Sequence, residues 1–168
     1  MKATIKQIKD CSFVGKADSN HWVNIDTSKE ICGFDAACTP MELVLIALGS
    51  CSGADVVSIL NKKKVHLDSF EINIEAEQAE DYPKVFSKIN LEYIFYGQSI
   101  KSEHVERAIT LSQEKYCSVL AMLKNSAKIH STYMARICRG ESSGDLVRCR
   151  STAAHNRLRP GSGGASRT

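Results

Sequence analysis

The sequence has no arginine before Arg107, no Cys-x-x-Cys pair, a single tryptophan and no unbroken apolar segment at its start. Each of these absences removes a class of protein. Cys32 and Cys38 have no further cysteine or histidine at zinc-finger spacing, so no metal is expected. The opening Met1-Lys2-Ala3-Thr4-Ile5-Lys6 lacks the apolar core of a secretory signal, and the expected location is the cytoplasm. The stretch from Met41 to Leu60 is the most apolar, but it carries Glu42, Asp55 and two glycines. That composition predicts a buried helix rather than a membrane span, with no membrane partner. In a reducing compartment, the seven cysteines are then expected as free thiols and not as a disulfide framework.

What is present is an ordinary globular balance. The chain has 168 residues, 43% of them hydrophobic and 24% charged, enough for one domain with a core and too few for two ordinary ones. The net charge of +3 is unevenly placed. Residues 1–137 hold 16 basic and 17 acidic side chains, whereas residues 138–168 hold 6 arginines, no lysine and 2 acids. This last segment has half of the chain's glycines and only Leu146, Val147 and Leu158 as large aliphatic residues. It cannot bury enough surface to fold alone and is expected to be a disordered or vector-derived tail beyond a domain of residues 1–137. Its arginines are not interleaved with aromatic residues, which argues against a nucleic-acid arm.

Alternation of apolar and polar residues predicts strands over residues 3–9, 12–15 and 21–26. Thr39-Pro40-Met41-Glu42 then reads as a helix start: Thr39 caps, proline fits the first turn, and Glu42 can close a capping box. The helix should run from Pro40 to about Lys62, apolar nearly all round in its first half. Residues 70–77 and 85–96 alternate and predict an antiparallel hairpin, with Ile89, Leu91, Tyr93 and Phe95 on one face. Ser102 is expected to cap a second helix with Val105, Ile109, Tyr116, Val119 and Leu123 on its apolar side. Residues 128–137 close the domain as a strand. The order β-β-β-α-β-β-α-β is that of an α+β domain without internal repeats.

Two cysteines stand out. Cys51, in Leu48-Gly49-Ser50-Cys51-Ser52-Gly53, and Cys117, in Glu114-Lys115-Tyr116-Cys117-Ser118-Val119, lie 66 residues apart on separate helices and can meet only through the fold. Small neighbours around Cys51 would let a backbone or a substrate approach the sulfur, or simply let two helices pack with cysteine as a small hydrophobe. Asp55, one turn later, disfavours a second negative charge nearby. A helix break near Lys115-Tyr116 would place Cys117 at a new helix start, which favours thiolate. Cys11, Cys32 and Cys38 fall on an edge strand or loop, and Cys138 and Cys149 at or beyond the domain end. His21, His66, His104 and His130 sit at polar positions and are expected to be solvated.

Thr39-Pro40-Met41-Glu42-Leu43 through Leu48-Gly49-Ser50-Cys51, followed by Leu111-Ser112-Gln113-Glu114-Lys115-Tyr116-Cys117-Ser118-Val119, resembles the OsmC/Ohr family (osmotically inducible protein C and organic hydroperoxide resistance proteins) over residues 1–137. The likeness is to an OsmC-like branch in which Pro-Met-Glu replaces the Pro-Glu of the peroxidases. The resemblance implies an intertwined homodimer with crossing central helices and a cysteine-based peroxidase without cofactor. In it Cys51 is peroxidatic and Cys117 resolving, the substrate is an organic hydroperoxide or other small hydrophobic molecule, and a dithiol is the reductant. Met41 stands where family peroxidases carry a glutamate, and their N-terminal arginine has no counterpart in residues 1–106. The alternatives are a non-catalytic dimer that binds a hydrophobic ligand or partner, and a thiol redox sensor.

Overall fold

The computed structural model of the chain describes residues 1–137, 150–151 and 156–157, which fall into two compact units, Met1–Ala47 and Leu48–Thr168. The expected tail lies outside the described residues apart from two two-residue strands.

In the first unit, β1 (Ala3–Lys9), β2 (Ser12–Ala17) and β3 (Trp22–Ile25) form a three-stranded antiparallel sheet, as the alternation predicts. Ile5, Gly15 and Val23 are in register across it. Asp10 turns the chain between β1 and β2 at φ 48°, a left-handed conformation that aspartate tolerates. The loop after β3 is built around Asp26, fully buried. Its carboxylate accepts from the backbone N–H groups of Thr27 (2.8 Å), Phe34 (3.1 Å) and Ala36 (3.0 Å). Burial alone would raise this carboxyl, but the three donors outweigh it and hold Asp26 below the usual carboxylate range.

The same loop corrects one expectation. Cys11 and Cys32 are joined in a disulfide, their Cα atoms 5.5 Å apart, and the Cys11 N–H donates to the Cys32 carbonyl at 3.2 Å. The free-thiol expectation followed from compartment and spacing, neither of which reports that the β1–β2 turn lies beside the one-turn 3-10 helix Lys29–Ile31. Cys38 is a free, exposed thiol.

Helix α1 runs over Pro40–Lys62, as the capping signal predicts. The Thr39 N–H donates to Glu42 Oε2 at 2.7 Å and the Glu42 N–H to Thr39 Oγ1 at 3.3 Å, closing the box reciprocally. The Thr39 backbone N–H, and after it the Thr39 hydroxyl, favour the ionised Glu42 carboxylate and lower its pKa against the smaller effect of burial.

In the second unit, β4 (Ser69–Gln78) and β5 (Phe86–Tyr96) pair antiparallel, β5 and β6 (Lys128–Ile137) pair parallel, and β7 (Arg150–Ser151) and β8 (Asn156–Arg157) each add two residues against β6. As the centre of this sheet, β5 buries Ile89, Leu91, Tyr93 and Phe95 on the predicted face. Leu48, Val56 and Leu60 of α1 and Val105, Ala108 and Ile109 of α2 (Ser102–Leu111) complete the core. Gly49 and Gly53 let α1 lie close against β4: a Cβ on Gly49 would stand 2.8 Å from Ile74 Cδ1, and one on Gly53 3.2 Å from Ile72 Cδ1. Their smallness therefore serves helix-on-sheet packing.

The second helical region departs from expectation. Lys101, not Ser102, occupies the cap position of α2, with no side-chain hydrogen bond. After Leu111 the chain takes one π-helical turn, Ser112–Tyr116, before α3 (Ser118–Leu123) begins. The wider turn shifts the register, so Tyr116, expected in the core, is 47% exposed.

Candidate functional site

The π turn sets the site. The Cys117 N–H reaches back to the Ser112 carbonyl at 2.8 Å, the five-residue bond that ends the turn. Cys117 then takes an extended conformation, φ −70° and ψ 98°, as the N-cap of α3. Its Sγ accepts from the Leu120 N–H at 3.4 Å, so the helix break read from Lys115-Tyr116 does deliver a helix start to this sulfur.

From the middle of α1, Cys51 and Asp55 project four residues apart on one helix face. Cys51 Sγ, Cys117 Sγ and an Asp55 carboxylate oxygen all lie within 4.8 Å of one another. Cys51 and Asp55 are half-buried and Cys117 is buried. The structure thus brings together the two cysteines singled out in the sequence, and adds Asp55 as a partner of both. Cys38 is exposed, Cys11 and Cys32 are bonded to each other, and Cys138 and Cys149 lie outside the described residues. His21, His66 and His130 are exposed as expected, but His104 is half-buried with its Nδ1 shielded and without a hydrogen-bond partner.

A buried chain of hydroxyls backs the carboxylate. The Ser112 hydroxyl donates to Asp55 Oδ2 at 3.3 Å and lies 3.1 Å from Ser52 Oγ, which in turn is 2.7 Å from Tyr93 Oη. Ser52, Ser112 and Tyr93 are fully buried. Beside them the Gln113 amide donates to the Ser131 hydroxyl. Buried polar groups cost stability unless paired, so this network fixes side-chain positions around the sulfurs. Sequence reasoning missed Ser52, Ser112, Tyr93 and Gln113 as site residues. The available signal was Tyr93 on a buried strand face, where a phenol needs a hydrogen-bond partner.

The electrostatics favour neutral thiol at Cys117. Burial pushes this thiol up to about 11; the Leu120 N–H pulls the other way, while Cys51 and the Asp55 carboxylate add to the rise. Helix-start position alone had suggested thiolate, and burial outweighs it. Tyr93 is likewise raised by burial, against hydrogen bonds with Ser52, Gln113 and Ser131. Chemically, the arrangement offers one accessible thiol, one buried protonated thiol close enough to close into a disulfide by a small movement, and a carboxylate able to carry a proton between them.

The family profile of OsmC-like protein matches residues 33–132, a span that includes both cysteines. Protein YhfA of Escherichia coli K12 is 39% identical over 133 residues, covering 79% of this chain and 96% of YhfA. A hypothetical protein from Aquifex aeolicus superposes with a TM-score of 0.73 at 30% identity, over 82% of this chain and 97% of that one. An organic hydroperoxide resistance protein OsmC from Legionella pneumophila shares the fold with a TM-score of 0.60 at 13% identity, over 79% and 96% of the two chains.

Proposed function

The chain belongs to the OsmC-like protein family, and from that footing we propose that it is a cytoplasmic, cysteine-based redox protein that reduces organic hydroperoxides. The observation that carries this reading is the meeting of Cys51 Sγ, Cys117 Sγ and the Asp55 carboxylate within 4.8 Å. Cys51, the more accessible sulfur, attacks the O–O bond of ROOH as thiolate; it becomes a sulfenic acid and the alkoxide leaves as ROH after taking a proton. Cys117 then attacks the Cys51 sulfur. A disulfide forms, and the departing hydroxide leaves as water with the Cys117 proton, which Asp55 is placed to pass on. A small dithiol returns both sulfurs to thiols and is itself oxidised to a disulfide.

The protein is proposed to act as a homodimer. Only 28% of the most apolar window of α1 is buried within one chain, and Ile46 on it is 54% exposed. A second copy would cover this surface. Met41 in place of a glutamate and the neutral, buried Cys117 favour slow turnover, and they also support a second reading in which the dimer binds a hydrophobic ligand or the pair acts as a redox sensor.

Stopped-flow oxidation by cumene hydroperoxide with a dithiol reductant separates these. The peroxidase reading requires turnover that Cys51→Ser abolishes; equal, negligible rates in the wild type, Cys51→Ser and Cys117→Ser would shift the assignment to ligand binding.

A further inference from the structure

We propose that Cys51, Asp55 and Cys117 form a three-ligand site for one thiophilic divalent cation of the zinc class, with the fourth coordination position open. The three donor atoms come from two elements, α1 and the start of α3, and already lie within 4.8 Å of one another. Tetrahedral zinc, with Zn–S near 2.3 Å and Zn–O near 2.0–2.2 Å, places its ligand atoms roughly 3.5–3.8 Å apart. Closure therefore needs movements of about 1 Å or less, within the reach of side-chain rotation.

Two features around the donors are those of a metal site's outer shell. The Leu120 N–H points at Cys117 Sγ from 3.4 Å, where it would stabilise a metal-bound thiolate. The Ser112 hydroxyl holds Asp55 Oδ2 at 3.3 Å and is itself fixed by Ser52 and Tyr93, which sets the direction of the carboxylate. Two sulfurs and a single oxygen select a soft or borderline cation over magnesium or calcium, which take oxygen ligands. Half-buried Cys51 and Asp55 leave the cation a path in and an open face for water or a small ligand.

Binding moves no electrons. The cation displaces one proton from each thiol and pairs with two thiolates and the carboxylate, so two protons are released for each ion bound. A bound cation occupies the lone pairs with which Cys51 would attack a peroxide and Cys117 would close the disulfide, so metal loading and oxidation exclude each other. The proposal uses the same thiols as the redox reading but does not rest on peroxide chemistry.

The test is titration of metal-free protein, its Cys51 and Cys117 thiols reduced, with Co²⁺ and then Zn²⁺. One equivalent of Co²⁺ should produce a near-ultraviolet thiolate charge-transfer band that Zn²⁺ bleaches. Cys51→Ser and Cys117→Ser should each remove it, and Asp55→Asn should weaken binding at least tenfold. Cys38 is present in every variant, so the difference between variants reports on this site. As a check independent of any variant's folding, one equivalent of Zn²⁺ on the wild type should block alkylation of Cys51 while Cys38 still reacts. No band at one equivalent, a band that survives in both serine variants, or unchanged Cys51 alkylation would overturn the proposal. A wild type inert toward hydroperoxide that still gives the band would remove the redox reading and leave the metal site standing.

Discussion

At Cys117, 2% exposed, burial raises the thiol from 9.0 to about 11, and the Leu120 N–H offsets only part of that rise. A raised thiol stabilises the fold in its protonated form. Its contribution is complete below about 9 and disappears as pH climbs through about 11. The melting temperature should therefore fall more steeply across that window in the wild type than in Cys117→Ala, measured by thermal denaturation at stepped pH. Asp26 carries the opposite sign. Its lowered carboxyl stabilises the folded state above the ordinary aspartate value of 3.8 and loses that contribution as pH falls further. Asp26→Asn should lower the melting temperature at pH 7 and flatten its decline in acid. The two cysteines were legible because their local motifs are distinctive, whereas Asp55 was visible only as a charge one turn away. The Ser52 hydroxyl was not legible at all: its partners Tyr93 and Ser112 lie 41 and 60 residues away, and only the fold makes them neighbours.

Helix α1 shows most clearly what element-level reasoning can reach. Its start and end were readable, since the Thr39–Glu42 box is a purely local device. Thr39→Ala should cost about 1 kcal/mol of stability in chemical denaturation. The reason for its glycines was hidden, because Ile72, Ile74 and Phe70 lie on a strand 17 to 25 residues onward. Gly53→Val should destabilise by about 1–3 kcal/mol through overpacking against Ile72 and Phe70. Gly53→Ala should cost less, because alanine's helix propensity returns about 1 kcal/mol. The second helix was harder. Its 3.6-residue period fitted Val105 and Ile109 but carried Tyr116 into the core by extrapolation, where one π turn instead rotates it outward. That turn places the Cys117 sulfur at a helix start, so the irregularity the period could not foresee is what builds the site.

For the molecule as a whole, the α+β fold is that of its OsmC-like neighbours, while the proposed homodimer draws on exposed apolar surface. Ile5, Ile8 and Val23 of the first sheet are 60%, 64% and 46% exposed, alongside Ile46 of α1. Sedimentation equilibrium at micromolar concentration should give twice the monomer mass, and a stable monomer would contradict the proposed dimer. The central claim is that Cys51 and Cys117 act as one redox pair, and peptide mass mapping under non-reducing conditions tests it most directly. After one equivalent of cumene hydroperoxide on reduced protein, a disulfide linking the Cys51 and Cys117 peptides should form. In Cys117→Ser it should be replaced by sulfenic or more oxidised Cys51. Recovery of both thiols unmodified, or oxidation confined to Cys38, would contradict the account.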